Sequence, residues 1–330
     1  MYFCRLKKII TLNSLDTYFQ SIAKGCEPAN LYEPIHYVLS QDGKRIRPQL
    51  VERAAELYGV DPEEVKHIAS AFEMLHNFTL IHDDIMDDAP IRRGQPTVYR
   101  QWNSNIAILA GDALAIMALL ELLKVSCDDT TKIKITNLFA RTALEIYEGQ
   151  QYDLDFETMA DVSIDEYIKM IRLKTAVMLA GCLKSGALYA HASEADQQAL
   201  YDYGINIGIA FQLKDDILDL YSNTQVFGKM TGGDIKENKK TYLYLTALHD
   251  ADEKQRQTLL HYFSSTDFDQ EQKIQAVKEI YENLKVKEKT EQAINLYVEK
   301  ALSSLQAVSI SEEKKKNLYE LANTLVSRDK

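Results

Sequence analysis

The 330-residue chain has few of the residues that interrupt regular structure, with only 13 glycines and 6 prolines. Such scarcity argues against many short strands joined by tight turns and favours long helices, which the abundance of Ala, Leu, Glu, Lys and Ile supports. Cys4, Cys26, Cys127 and Cys182 are widely separated and form no CxxC pair. Neither a zinc site nor a disulfide scaffold is suggested, and free thiols in a reducing, cytoplasmic setting are expected. Net positive charge is missing as well. A formal charge of −11 argues against a general affinity for nucleic acid or for an anionic membrane. No secretory leader is evident, because Arg5, Lys7, Lys8, Ile9 and Ile10 run directly into Thr11, Asn13, Ser14 and Asp16. The most apolar run, Ile106 to Leu123, approaches the length of a membrane span but contains Asp112 and Glu121. It is expected to be a helix buried in the middle of a soluble bundle, without stable membrane insertion.

Helix starts are legible in local chemistry. Asp61-Pro62-Glu63-Glu64 supplies a capping carboxylate, a proline at the first helical position and an acidic first turn. Ser163 and Glu166 form a capping-box pattern, while Gly25 and Gly59 are predicted helix stops. Long helices are predicted over about 62–88, 105–125, 131–157, 163–190 and 194–222, with shorter ones to the end. With no linker, repeat or break in composition, a single all-α domain over residues 1–330 is expected. Residues 1–14 are expected to be a loosely ordered extension, and the glycine- and lysine-rich stretch Gly228 to Lys240 a mobile loop.

Two carboxylate clusters carry the chemistry. In LIHDDIMDD, Asp83 and Asp87 project within about 40° of each other, one turn apart, so like charges crowd one helix face. The pattern returns in FQLKDDILDLY with Asp215, Asp216 and Asp219. Hard cations such as Mg²⁺ take oxygen ligands and commonly bind through a few carboxylates plus substrate phosphates. A lone DDxxD is about as often a solvated acidic face as a metal site. Two copies, each set among apolar neighbours such as Ile81 and Ile85 or Leu213 and Ile217, favour the metal. Basic groups suited to phosphate oxygens accompany them in GKRIRP, from Gly43 to Pro48, and in Arg92-Arg93-Gly94.

Taken together, GKRIRP, DDIMDDAPIRRGQPT, EGQQYDL, Lys174-Thr175, FQLKDDILD and GKMTGGDIKENKKTY closely resemble, in order and spacing, the trans-type polyprenyl (isoprenyl) diphosphate synthases. The likeness covers the chain from about residue 15 to the last helices and is closest to short-chain geranylgeranyl and farnesyl diphosphate synthases. It implies a helical bundle around a central cavity, usually a homodimer. It also implies a reaction in which an allylic diphosphate ionises and is attacked by isopentenyl diphosphate. By this resemblance Asp83, Asp84, Asp87, Asp215, Asp216 and Asp219 ligate several Mg²⁺ ions at the allylic diphosphate. Arg92, Lys174, Lys229 and Lys239 match residues contacting that diphosphate. Lys44, Arg47, His76 and Arg93, with Arg45 nearby, match the isopentenyl diphosphate site. Thr175 and Gln212 match groups facing the reacting carbon, Gln150 and Asp153 match a polar pair lining the cavity, and Phe78 and Thr79 match the floor that stops the growing tail. A fifteen- to twenty-carbon product, mainly twenty, is expected.

The first aspartate motif lacks the longer DDxxxxD spacing of some bacterial farnesyl diphosphate synthases, which separates the chain from that subgroup. Gly204 and Gly208 either make room for a tail or serve close helix packing. The competing readings are a longer-chain synthase, a terpene cyclase or squalene-synthase-like enzyme, and a non-catalytic synthase subunit. GKRIRP and RRG, suited to a second diphosphate, disfavour the cyclase, and the two intact aspartate motifs disfavour the silent subunit.

Overall fold

A computed structural model describes residues 15–222, 232–264 and 267–326. Among them the regular structure is helical apart from one two-residue hairpin. Two compact units form, one from the chain up to Arg141 with Gly181–Gln197, the other from Thr142–Ala180 with Gln198 onward.

The first unit contains α1 (15–21), α2 (Ala29–Leu39), α3 (Ile46–Glu56), α4 (Lys66–Met86), α5 (Val98–Gln101), α6 (Ser104–Leu123) and the beginning of α7 (Asp129–Thr158). Helix α4 starts where the local chemistry predicts: Asp61 accepts from the Glu63 amide at 3.0 Å and Glu64 accepts from the Asp61 amide at 3.2 Å, capping the short 3₁₀ turn Pro62–Val65. These bonds satisfy amides that a helix end would otherwise leave unpaired. Gly25 and Gly59 adopt φ of +70° and +87°, the left-handed geometry of a glycine stop. Helix α4 packs mainly on α6 and α3 and is buried along most of its length, from Ile68 to Asp84. Small residues on α6, Ala107, Ala110, Gly111 and Ala118, are buried and permit this close approach.

Helix α6 corrects one expectation. It is long and apolar enough to cross a membrane by length and composition, yet it is not buried all round. Leu109, Ile116, Leu120 and Leu123 are 60%, 58%, 51% and 61% exposed. At about 100° per residue these four fall within about 60° of one another, opposite the buried alanines. The helix has two apolar faces, only one of which its own unit covers.

The second unit contains the rest of α7, α8 (Ile164–Ile171), α9 (Val177–Tyr189) up to Ala180, and α10 (Glu194–Tyr221) from Gln198. It continues with α11 (Gly233–Lys236), α12 (Tyr242–Asp250), α13 (Glu253–Tyr262), α14 (Gln270–Asn283), α15 (Val286–Ala307) and α16 (Glu312–Val326). The Ser163 and Glu166 capping box forms as read. The core gathers Tyr167, Leu213, Ile217, Leu243, Val277 and Tyr281. The helix expected over 163–190 is broken by a single π-turn at Arg172–Ala176.

Candidate active site

In the first unit, the carboxylates at the end of α4 are placed by the helix and the arginines by the hairpin that follows. Strands β1 (Ile91–Arg92) and β2 (Gln95–Pro96) pair across Arg93 and Gly94, whose φ values are +51° and +76°. Two successive left-handed residues match a type I′ turn, which explains the glycine. Arg92 Nε donates to Asp84 Oδ1 at 2.7 Å. Asp84 is buried, and burial raises its pKa against the lowering effect of Arg92. Asp83 is half-buried and Asp87 exposed. The middle carboxylate is thus committed to the protein, while its neighbours at i and i+4 are more accessible.

Basic side chains cluster around His76. Burial and the charges of Arg47, Arg93, Arg92 and Arg45 hold the His76 pKa well below its usual value, so the imidazole is neutral at pH 7. Arg93 sits beside Gly43, where an added Cβ would stand 3.7 Å from the guanidinium. Burial lowers the Arg47 pKa, and its buried Nε donates to no acceptor among the described residues. Buried donors are nearly always paired in folded proteins. Lys44 is exposed.

Arg45, placed near this group by sequence, turns inward. It opens α3 with φ +45°. Nε donates to Asp16 at 3.0 Å, Nη1 to Glu73 at 2.9 Å, and Nη2 to the carbonyls of Leu39 and Gln41, both at 2.9 Å. Four of its five N–H donors are thus used, two of them on the 39–45 loop, which carries Lys44.

The proposed floor residues differ from each other. Thr79 donates to the His76 carbonyl at 2.8 Å. Phe78 is buried with its ring 4.8 Å from the His82 ring. His82 fills the notch at Gly111, where a Cβ would lie 2.3 Å from the imidazole.

In the second unit, Lys174 and Thr175 ride on the π-turn. Two glycines press on it: a Cβ at Gly149 of α7 would lie 2.3 Å from the Lys174 amide nitrogen, and one at Gly208 of α10 would lie 2.6 Å from the Ala176 Cα. Gly208 therefore serves close packing, one of the two readings its spacing allowed. Lys174 Nζ donates to Asp153 at 2.6 Å, and Thr175 Oγ1 to Gln212 Oε1 at 3.3 Å. This gathers Lys174, Thr175, Asp153 and Gln212.

Asp216 is buried and its pKa is pushed up to about 7 by burial, against the lowering effect of its donors. Tyr167 donates to Oδ2 at 2.6 Å, the Tyr242 amide at 3.3 Å, and Gln212 to Oδ1 at 3.5 Å. As in the first cluster, the middle aspartate is the one enclosed, while Asp215 and Asp219 are half-buried. Asp219 accepts from the Asp234 amide at 3.0 Å. Burial, then the charges of Asp219 and Asp216, raise the Asp234 pKa well above normal. Lys239, on the same stretch, pairs with Glu237 at 3.0 Å. Lys229 and Gly228 lie outside the described residues.

Asp234, Tyr167 and Glu73 are the residues that sequence reasoning missed. Asp234 stands inside GKMTGGDIKENKK and was within reach, whereas Tyr167 gives no local signal of its partner 49 positions away. Among the described residues no three His, Cys, Asp or Glu side chains are assembled to hold an ion by themselves. An all-oxygen set of a few accessible carboxylates nevertheless fits Mg²⁺, which completes its shell with water and phosphate oxygens. The orphaned Arg47 donor fits an anion.

Comparison with known proteins agrees with this chemistry. Residues 28–284 match the model of the polyprenyl synthetase family. The chain is 41% identical over 233 residues to a geranylgeranyl diphosphate synthase of Methanosarcina mazei, covering 71% of this chain and 72% of that protein. It is 39% identical over 237 residues to a geranylfarnesyl diphosphate synthase of Natronomonas pharaonis, covering 67% and 70%. A crystal structure of a geranylgeranyl pyrophosphate synthase superposes with a TM-score of 0.91 over 98% of both chains at 42% identity.

Proposed function

This chain belongs to the polyprenyl synthetase family, and we propose that it condenses an allylic diphosphate with isopentenyl diphosphate to a mainly twenty-carbon prenyl diphosphate. It is a short-chain prenyltransferase, and we extend that to its substrates, metal and product length. The observation that carries the two-diphosphate assignment is the cluster of basic side chains around His76. The charges of Arg47, Arg93 and Arg92 all act on His76; Arg92 is paired with Asp84, and Glu73 is held by Arg45. A cyclase needs no such second anion-binding cluster.

In this reading Arg47, Arg93 and Lys44 hold the isopentenyl diphosphate, and neutral His76 donates a hydrogen bond to it without adding charge. Arg92, Lys174 and Lys239, together with Lys229, bind the allylic diphosphate. Asp83 and Asp87, with Asp215 and Asp219, hold Mg²⁺, while Asp84 and Asp216 orient their clusters through Arg92 and Tyr167. Bound Mg²⁺ supplies neutralisation of the departing diphosphate's charge. The allylic C–O bond breaks with its electron pair leaving on the diphosphate. The alkene of isopentenyl diphosphate attacks the allylic carbon, and the diphosphate takes the proton then lost. Thr175 and Gln212 present oxygens toward the cationic carbon, and preorganised dipoles of this kind need no rearrangement as charge develops. No protein nucleophile is required.

The exposed stripe Leu109, Ile116, Leu120 and Leu123 supports a homodimer through α6. A second copy would cover an apolar face that α6 does not bury in its own unit. We read the chain as one catalytic domain working in the cytoplasm, with α6 in that interface rather than in a bilayer. The decisive experiment incubates purified protein and Mg²⁺ with one allylic diphosphate, with and without isopentenyl diphosphate. Elongated product only in its presence is expected. Turnover of the allylic substrate alone to a cyclic hydrocarbon would overturn the assignment.

A further inference from the structure

Helix α14 carries a lysine that no part of this mechanism uses. Lys273 is wholly buried, and no carboxylate among the described residues pairs with it. Its ammonium donates to the Lys236 carbonyl at 3.4 Å and to the Asn238 side-chain oxygen, and stands 5.4 Å from the centre of the Phe263 ring. Burying an ammonium is costly unless its hydrogen bonds are met, and methionine would fill the same volume without that cost. Both oxygen acceptors lie within three residues of Lys239.

That stretch is held from two sides. From α10, the Asp219 carbonyl accepts from the Gly232 amide at 2.9 Å and the Asp219 carboxylate from the Asp234 amide. From α14, Ile274 lies against Gly232, where a Cβ would stand 3.1 Å away, and Lys273 secures the other end. At that end Asn238 turns left-handed with φ +59°, a conformation that asparagine tolerates better than most non-glycine residues. The Lys239 amide then donates back to the Asp234 carbonyl at 2.9 Å.

We propose that Lys273 is a positioning residue for the prenyl transfer. Through Lys236 and Asn238 it fixes the turn from which Lys239 departs, and so sets where that ammonium meets the allylic diphosphate. The inference rests on the role given to Lys239 above.

Steady-state kinetics with both substrates at saturating Mg²⁺ test it in Lys239→Ala, Lys273→Met, the double variant and Asn238→Gly. Glycine at 238 removes the acceptor while accepting the left-handed backbone, so it reports even where Lys273→Met folds poorly. Each single variant is expected to raise the KM for the allylic substrate about tenfold. The KM for isopentenyl diphosphate should stay within about twofold, and the double variant should lose little beyond Lys239→Ala. If Lys239→Ala raises the allylic KM but Lys273→Met and Asn238→Gly do not, the inference fails alone. Equal losses on both substrates would show a merely structural lysine and also overturn it. If Lys239→Ala itself leaves the allylic KM unchanged, the reading of Lys239 falls first.

Discussion

Asp216→Asn should stabilise the metal-free protein while disabling the enzyme, and the size of the gain should depend on pH. The wild-type carboxyl titrates near 3.8 when unfolded and at about 7 when folded. Between these values the native state holds the extra proton, so stability falls as pH rises through that window and the full loss applies above about 7. A shift of this size corresponds to roughly 4 kcal/mol at about pH 8 and roughly 2 kcal/mol at about pH 5. Asparagine keeps an oxygen for Tyr167 and the Tyr242 amide and turns its amide toward Gln212. Gln212 can answer by flipping its own amide, because the Thr175 hydroxyl both donates and accepts. Urea denaturation in EDTA at both pH values measures the difference as a shift in midpoint at constant slope. Adding Mg²⁺ should stabilise the wild type, by binding the native state, more than the variant. A variant no more stable than wild type at pH 8, or equally stabilised at both pH values, would refute the assignment of a buried, reluctantly ionised carboxyl.

Arg93→Ala is expected to raise the KM for isopentenyl diphosphate about tenfold and Arg92→Ala that for the allylic substrate, each losing a charge-assisted hydrogen bond. Equal effects of either variant on both substrates would dissolve the separate assignment. Ile116→Glu should convert the proposed dimer to a monomer in sedimentation velocity, since a two-fold contact brings each new charge close to its copy. A wild-type chain that sediments as a monomer removes the premise. Phe78→Ala is expected to lengthen the products seen by mass spectrometry, and an unchanged distribution places the floor elsewhere.

What the sequence disclosed follows from how local each cause is. Asp61 and Ser163 cap helices through residues two or three positions away, so both starts were legible. Arg93 and Gly94 form a turn whose chemistry is their own. The π-turn under Lys174 and Thr175 was not legible, because the glycines pressing on it come from α7 and α10. Arg45 shares a six-residue motif with Lys44 and Arg47, but its left-handed backbone sends the side chain to Glu73 and away from its neighbours. Helix α6 misled for another reason: apolar composition on two faces does not say whether the second face is covered by the same chain or by another.

Lys273 shows where a stronger signal went unread. In QEQKIQAVKEIYENL a lysine is ordinarily placed on the solvated face, because exposure is the common state of that residue. The spacing argues otherwise. Val277, Ile280 and Tyr281, four, seven and eight positions on, are the buried apolar residues of α14, and that periodicity puts position 273 on their face. A charged residue at a core position of an amphipathic helix costs stability unless an acceptor waits for it, so its presence announces a specific partner. Here the acceptors are Lys236 and Asn238, on the stretch that joins the second carboxylate cluster to Lys239. The pattern locates the anomaly within one helix, and only the fold names what it holds.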